Sequence, residues 1–79
     1  MFTPSQIRAA RALVGLSQAD VATAAGLSVP TVKRAEADES IRVSEDAVLA
    51  IANALKKAGV EFIPENGGGP GVRLRKARR

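Results

Sequence analysis

Between Ser17 and Glu36 the chain has two places to begin a helix and one place to stop between them, a spacing that leaves little choice of local fold. Ser17 precedes Gln18-Ala19-Asp20, so its hydroxyl can cap a helix that carries an acidic side chain near the positive end of its dipole. Val21, Ala24 and Ala25 then mark an inward face, and Gly26 falls where a helix closes in a left-handed residue. Only Leu27 separates Gly26 from Ser28, which can cap again, and Pro30 is tolerated because it lies in the first turn of the next helix. Val32 and Ala35 can face inward there, leaving Thr31, Lys33 and Arg34 largely outside. Ala22 is core-facing and small, so two helices meeting at this turn can cross closely.

The flanking sequence supplies partners for that pair. Thr3-Pro4-Ser5-Gln6 has the form of a capping box with proline at the first helical position. Ile7, Ala10, Leu13 and Val14 repeat at helical spacing, so a helix over about 4–14 is expected, ended by Gly15. Residues 37–43 have the character of a loop. Ser44 then caps a helix in which Val48, Ile51, Ala52 and Leu55 make an apolar stripe, with Lys56 and Lys57 in its last turn and Gly59 closing it. After Gly59 the periodicity changes. Val60–Ile63 and Val72–Arg75 resemble short strands joined by a Gly- and Pro-rich loop, with Val72 and Leu74 on one face and Arg73 and Arg75 on the other.

With 79 residues there is room for one small core and for no separate catalytic domain. Aromatic residues make up 3%, so Ala, Val, Leu and Ile must build that core. The chain has no cysteine and no histidine, which removes disulfides, thiolate metal sites, the commonest general base and the commonest metal ligand. No catalytic residue, metal site or cofactor is expected, and the protein reads as a non-enzyme. The apolar runs are too short and too interrupted by charge for a membrane span, and no signal peptide fits, so a cytoplasmic protein is expected. The glycine-rich loop lacks a following Lys-Ser/Thr and leads into no helix, so it reads as a hairpin connection rather than a phosphate cradle. Net charge is +4, but residues 1–72 carry seven basic and eight acidic side chains, and the excess lies in Arg73, Arg75, Lys76, Arg78 and Arg79.

The segment SQADVATAAGLSVPTVKRAE resembles the Cro/CI-like (XRE) family of helix-turn-helix regulators, and the resemblance extends over about residues 5–58. It rests on Ser-Gln opening the first helix of the pair, Ala-Gly at the turn, Ser capping the second helix and Glu ending it. It implies a mainly α, four- to five-helix lambda-repressor-like DNA-binding domain, here with a C-terminal β-hairpin or strand extension. By that resemblance Gln18 would contact a phosphate, and Ser28 would cap the recognition helix and touch a phosphate too. Val29, Pro30, Thr31, Lys33 and Arg34 would approach bases or flanking phosphates, and Arg11 with Glu36 would form a structural pair tying helix 1 to the end of helix 3. Family members often carry hydrogen-bonding side chains where this chain has Val29 and Pro30, and often a glycine where it has the acidic run Ala37-Asp38-Glu39. Base readout therefore falls mainly to Lys33 and Arg34.

The expected organisation is a helix-turn-helix domain over residues 1–59, a strand or hairpin extension over 60–75 that can serve dimerisation, and a basic tail over 76–79. Arg42, Arg73, Arg75 and Lys76 are candidate phosphate contacts. The expected function is a sequence-specific transcriptional regulator, a repressor or autoregulator, that binds double-stranded operator DNA as a homodimer. The competing reading is a protein-interaction module, antitoxin-like or anti-activator, on a helix-turn-helix fold without its own DNA specificity. A regulatory protein partner suits either reading.

Overall fold

The computed structural model describes residues 2–37 and 43–75. The expectations placed on Asp38, Glu39, Arg42 and Lys76 lie outside the described residues. Helices α1 (Pro4–Val14), α2 (Gln18–Ala25), α3 (Val29–Ala37) and α4 (Glu45–Lys57) are followed by strands β1 (Val60–Ile63) and β2 (Gly71–Leu74). The fold is thus mainly helical, with four helices among the described residues and a C-terminal hairpin.

Each helix start has a local cause. Thr3 Oγ1 accepts from the Gln6 amide at 3.1 Å while Gln6 Oε1 accepts from the Thr3 amide at 2.9 Å, a reciprocal capping box. Ser17 and Asp20 repeat it at the start of α2, with bonds of 3.0 and 2.9 Å. Ser44 Oγ accepts from the Ala47 amide at the start of α4, whose first turn carries Glu45 and Asp46 and whose last carries Lys56 and Lys57, both complementing the helix dipole. Gly26 ends α2 at φ 71, in the left-handed region. An added Cβ there would meet no neighbouring atom, so backbone conformation, not space, is what demands glycine.

The core is the meeting of four helix stripes and one strand. Ile7, Val21, Val32, Ile51, Leu55 and Val60 are the largest fully buried side chains, and Ala10, Ala22 and Ala35 fill the close crossings between them. Each large aliphatic contributes on the order of 1.5–3 kcal/mol by leaving water. Several details differ from the sequence-based expectation. Ala24, expected on the inward face of α2, faces solvent and Ala25 is half-buried, while Val21 and Ala22 are buried as expected. Leu13 is 42% exposed, while Val14 beside it packs on the core. Ala37 belongs to α3 instead of the following loop.

The second strand covers Gly71–Leu74, one residue earlier than Val72–Arg75. The strands pair antiparallel, with Val60 opposite Leu74, Glu61 opposite Arg73, Phe62 opposite Val72 and Ile63 opposite Gly71. An isolated two-stranded hairpin is marginal in water, and this one is packed on α1 and on the end of α4. Gln6 holds it there. With Oε1 used in the α1 cap, its Nε2 donates to the carbonyls of Ile63 at 3.2 Å and Gly71 at 3.0 Å, the last facing pair of the ladder.

Candidate nucleic-acid interface

α2 and α3 meet through a three-residue turn, and α3 presents two chemically different sides. Val32, Ala35 and Glu36 are buried, while Ser28, Pro30, Lys33 and Arg34 are exposed. The exposed side is polar at its start and cationic further along. Ser28 Oγ accepts from the Thr31 amide at 3.3 Å and lies 2.9 Å from Thr31 Oγ1, so two hydroxyls cover the first turn of the helix. Arg34 Nη2 reaches Thr31 Oγ1 at 3.5 Å, a long contact that lays the guanidinium along the same surface. Hydroxyls at a helix N-terminus and cations beside them are groups that bind phosphate oxygens or acceptors on base edges.

The buried side of α3 is fixed by a polar hub. Glu36 is 4% exposed. Its Oε2 accepts from Arg11 Nε at 2.8 Å, and its Oε1 accepts from Arg11 Nη2 at 3.0 Å and from Gln18 Nε2 at 3.1 Å. Arg11 also donates to the Leu16 carbonyl at 3.2 Å, and Arg8 donates to the Glu36 main-chain carbonyl. One carboxylate near the end of α3 therefore joins side chains from α1 and α2. The bond to Glu36 holds the Arg11 guanidinium pKa above its ordinary value, with burial opposing the rise. The fork-on-carboxylate geometry sets orientation as well as distance, which is how such a pair can fix the angle of a short helix.

The residues singled out in the sequence therefore fall into three groups. Ser28, Pro30, Thr31, Lys33 and Arg34 share the outer side or first turn of α3, while Val29 is half-buried and packs partly on the core. Gln18 is half-buried and donates to Glu36 rather than standing free. Arg73 and Arg75 lie on or beside the hairpin and already have internal partners. Arg73 Nε bonds Glu61 at 2.6 Å, which lowers the Glu61 carboxyl pKa, and Arg75 Nη2 donates to the Lys56 carbonyl at 2.8 Å.

Two residues of the architecture escaped the sequence reading. Arg8 lies three positions before Arg11, so both project from one side of α1, and that spacing was the available signal. Gln6 was read only as a cap; nothing local marks its second role on the hairpin.

Among the described residues no group of three or more Asp, Glu, His or Cys side chains is placed to hold a metal ion. No helix among them is long and apolar enough to cross a membrane. The family model described as helix-turn-helix matches residues 7–62, from the first turn of α1 into β1. No curated protein matches the chain in sequence.

Proposed function

The chain belongs to the Cro/CI-like (XRE) helix-turn-helix family, whose members are DNA-binding transcription regulators, and on that premise we propose that it is a sequence-specific repressor or autoregulator binding operator DNA as a homodimer. The observation that carries this reading is the two-sided α3: Lys33 and Arg34 exposed beside the hydroxyls of Ser28 and Thr31, with Glu36 locked on the opposite side. A helix held in this way can enter a major groove without losing its own packing. Lys33 and Arg34 carry most of the recognition, Ser28 and Thr31 add phosphate or base-edge contacts, and Pro30 meets sugar or a thymine methyl.

Residues 1–59 form the DNA-binding unit, and residues 60–75 extend it. One recognition helix reads few base pairs, so a pair of half-sites about one helical turn apart supplies the affinity. β1 and the outer face of α4, where Leu49 is 47% exposed, are the surfaces we assign to the dimer. The protein acts in the cytoplasm without a cofactor.

Gel-shift titration of the chain against duplex from its own upstream region tests the reading. We expect salt-sensitive binding tighter than to random duplex, and at least a tenfold loss with Lys33→Ala/Arg34→Ala at unchanged melting temperature. Equal affinity for both duplexes would sink the regulator reading.

A protein-interaction role, antitoxin-like or anti-activator, is favoured by a specific pair of observations: Val29 is drawn toward the core, and Gln18 spends its amide on Glu36. In that case the Lys33/Arg34 surface would meet an acidic protein partner, and the double alanine variant would lose the partner without affecting DNA.

A further inference from the structure

The chain has only two aromatic residues, Phe2 and Phe62, and both pack on the edge of the aliphatic core without being buried in it. They meet instead at the junction of the hairpin with α1 and α4, ring centroids 4.6 Å apart and planes tilted by 57°. Both are half-buried. Together with Pro64 and Pro70 they line a cleft of about 450 Å³, within the size range of small-molecule sites.

Charged side chains of both signs border the cleft. From α4, Lys56 places its Nζ 5.3 Å from the centre of the Phe2 ring, and among the described residues it makes no ion pair. Lys56 and Phe62 also border a second, smaller hollow with Arg75, so positive charge gathers on this side, where Glu61 is already paired with Arg73. From the hairpin loop comes Glu65, whose Oε2 accepts from the Gly67 and Gly69 amides at 2.9 and 3.2 Å and so shapes the loop.

We propose that this cleft is a binding site for a small monocarboxylic acid with an aromatic or aliphatic body. The carboxylate meets Lys56, and the apolar body lies along Phe2, Phe62, Pro64 and Pro70. The ammonium over Phe2 disfavours a cation on that ring, and Glu65, its Oε2 already taken by two loop amides, disfavours a second negative charge in the cleft, so a single carboxylate is favoured over an amine or a dicarboxylate. The walls come from α1, α4 and both sides of the hairpin loop, so an occupant ties the hairpin to the helical body, the same junction that Gln6 clamps.

The experiment is a ¹H–¹⁵N NMR titration of the full chain with 3-phenylpropionate, 3-phenylpropanol and 3-phenylpropylamine, and it requires no DNA. The acid is expected to give saturable shifts at Phe62, Glu65 and the Gln6 side-chain amide, binding more tightly than the alcohol and the alcohol more tightly than the amine. Lys56→Gln should weaken the acid about tenfold and leave the alcohol within about twofold, as removal of one charge-assisted contact requires. Glu65→Gln, which retains an oxygen acceptor for the loop amides, should strengthen the acid about threefold. Opposite signs in these two variants cannot come from a general loosening of the fold. The proposal is overturned if no saturable shift occurs up to about 10 mM, if the amine binds as well as the acid, or if Lys56→Gln leaves the acid unaffected.

Discussion

Helix α1 is clamped to the rest of the molecule at two places, and the chemistry of the clamps differs. Toward α3 it sends Arg11 to a buried carboxylate and Arg8 to a main-chain carbonyl near the helix end. Toward the hairpin it sends one neutral amide, Gln6, to two carbonyls. Charge-assisted bonds are about twice as strong as neutral ones and more demanding in geometry. α3 is thus held to α1 by the stiffer clamp, while α1 holds the hairpin by neutral bonds, helped by Val60, a half-buried aromatic pair and the Arg75 bond to the Lys56 carbonyl.

The largest test of this contrast is Glu36→Ala. It leaves Arg11 without its partner, but Arg11 is 26% exposed and can recover water, so a loss of about 2–3 kcal/mol is expected, below that of a fully buried pair. Urea denaturation measures it, and a loss under 1 kcal/mol would mean the hub is incidental.

Gln6→Ala should cost about 1–2 kcal/mol by removing the Gln6 half of the α1 capping box and two bonds to the hairpin, with the Thr3 cap itself retained. Its effect should also be local: amide exchange should accelerate in Val60–Ile63 and Gly71–Leu74 more than in α2 and α3. Uniform acceleration would show that the two clamps are not separable. Ser28→Ala should cost about 1 kcal/mol through the α3 start, with the Glu36 contacts intact by NMR.

Acidification probes weaker contacts. The Ser17 backbone bond, then the Ser17 side chain, lowers the Asp20 pKa below 3.8, and Arg73 lowers the Glu61 pKa below 4.5. A carboxyl with a depressed folded-state pKa adds stability above its unfolded value and loses it as pH falls through the folded value. Melting temperature should therefore decline as pH drops below 4.5, and Asp20→Asn should flatten part of the decline. The smallest effect belongs to Arg73→Ala. Its pair with Glu61 is exposed, at 65% and 47%, so only a small drop in melting temperature at neutral pH is expected, below that of Gln6→Ala. A clear drop would show that the hairpin depends on surface charge more than on Gln6.

Much of the fold could be read in the chain because its signals are local. Thr3, Ser17 and Ser44 act on an amide three residues ahead, and Gly26 acts through its own φ, so each works within one turn of sequence. Less legible was which small apolar side chain is buried. Ala22 and Ala24 differ little in chemistry, and only the approach of α4 and α3 to α2 buries the first and leaves the second in water. The candidate site divides in the same way. Lys33 and Arg34 follow from helical phase, whereas the withdrawal of Val29 toward the core and of Gln18 toward Glu36 depends on partners outside their own turn.

The sequence by itself determined where each helix begins, which side of α3 is cationic and that strand-like segments follow Gly59. Capping, helical phase and strand alternation act over a few residues and need no tertiary context. Only the tertiary structure decided that Gln6 reaches carbonyls 57 and 65 positions away, that Glu36 gathers donors from two other helices, and that the chain's two aromatic rings meet across a cleft. Those contacts depend on how the helices cross and where the hairpin returns, geometry that no local pattern in the chain specifies.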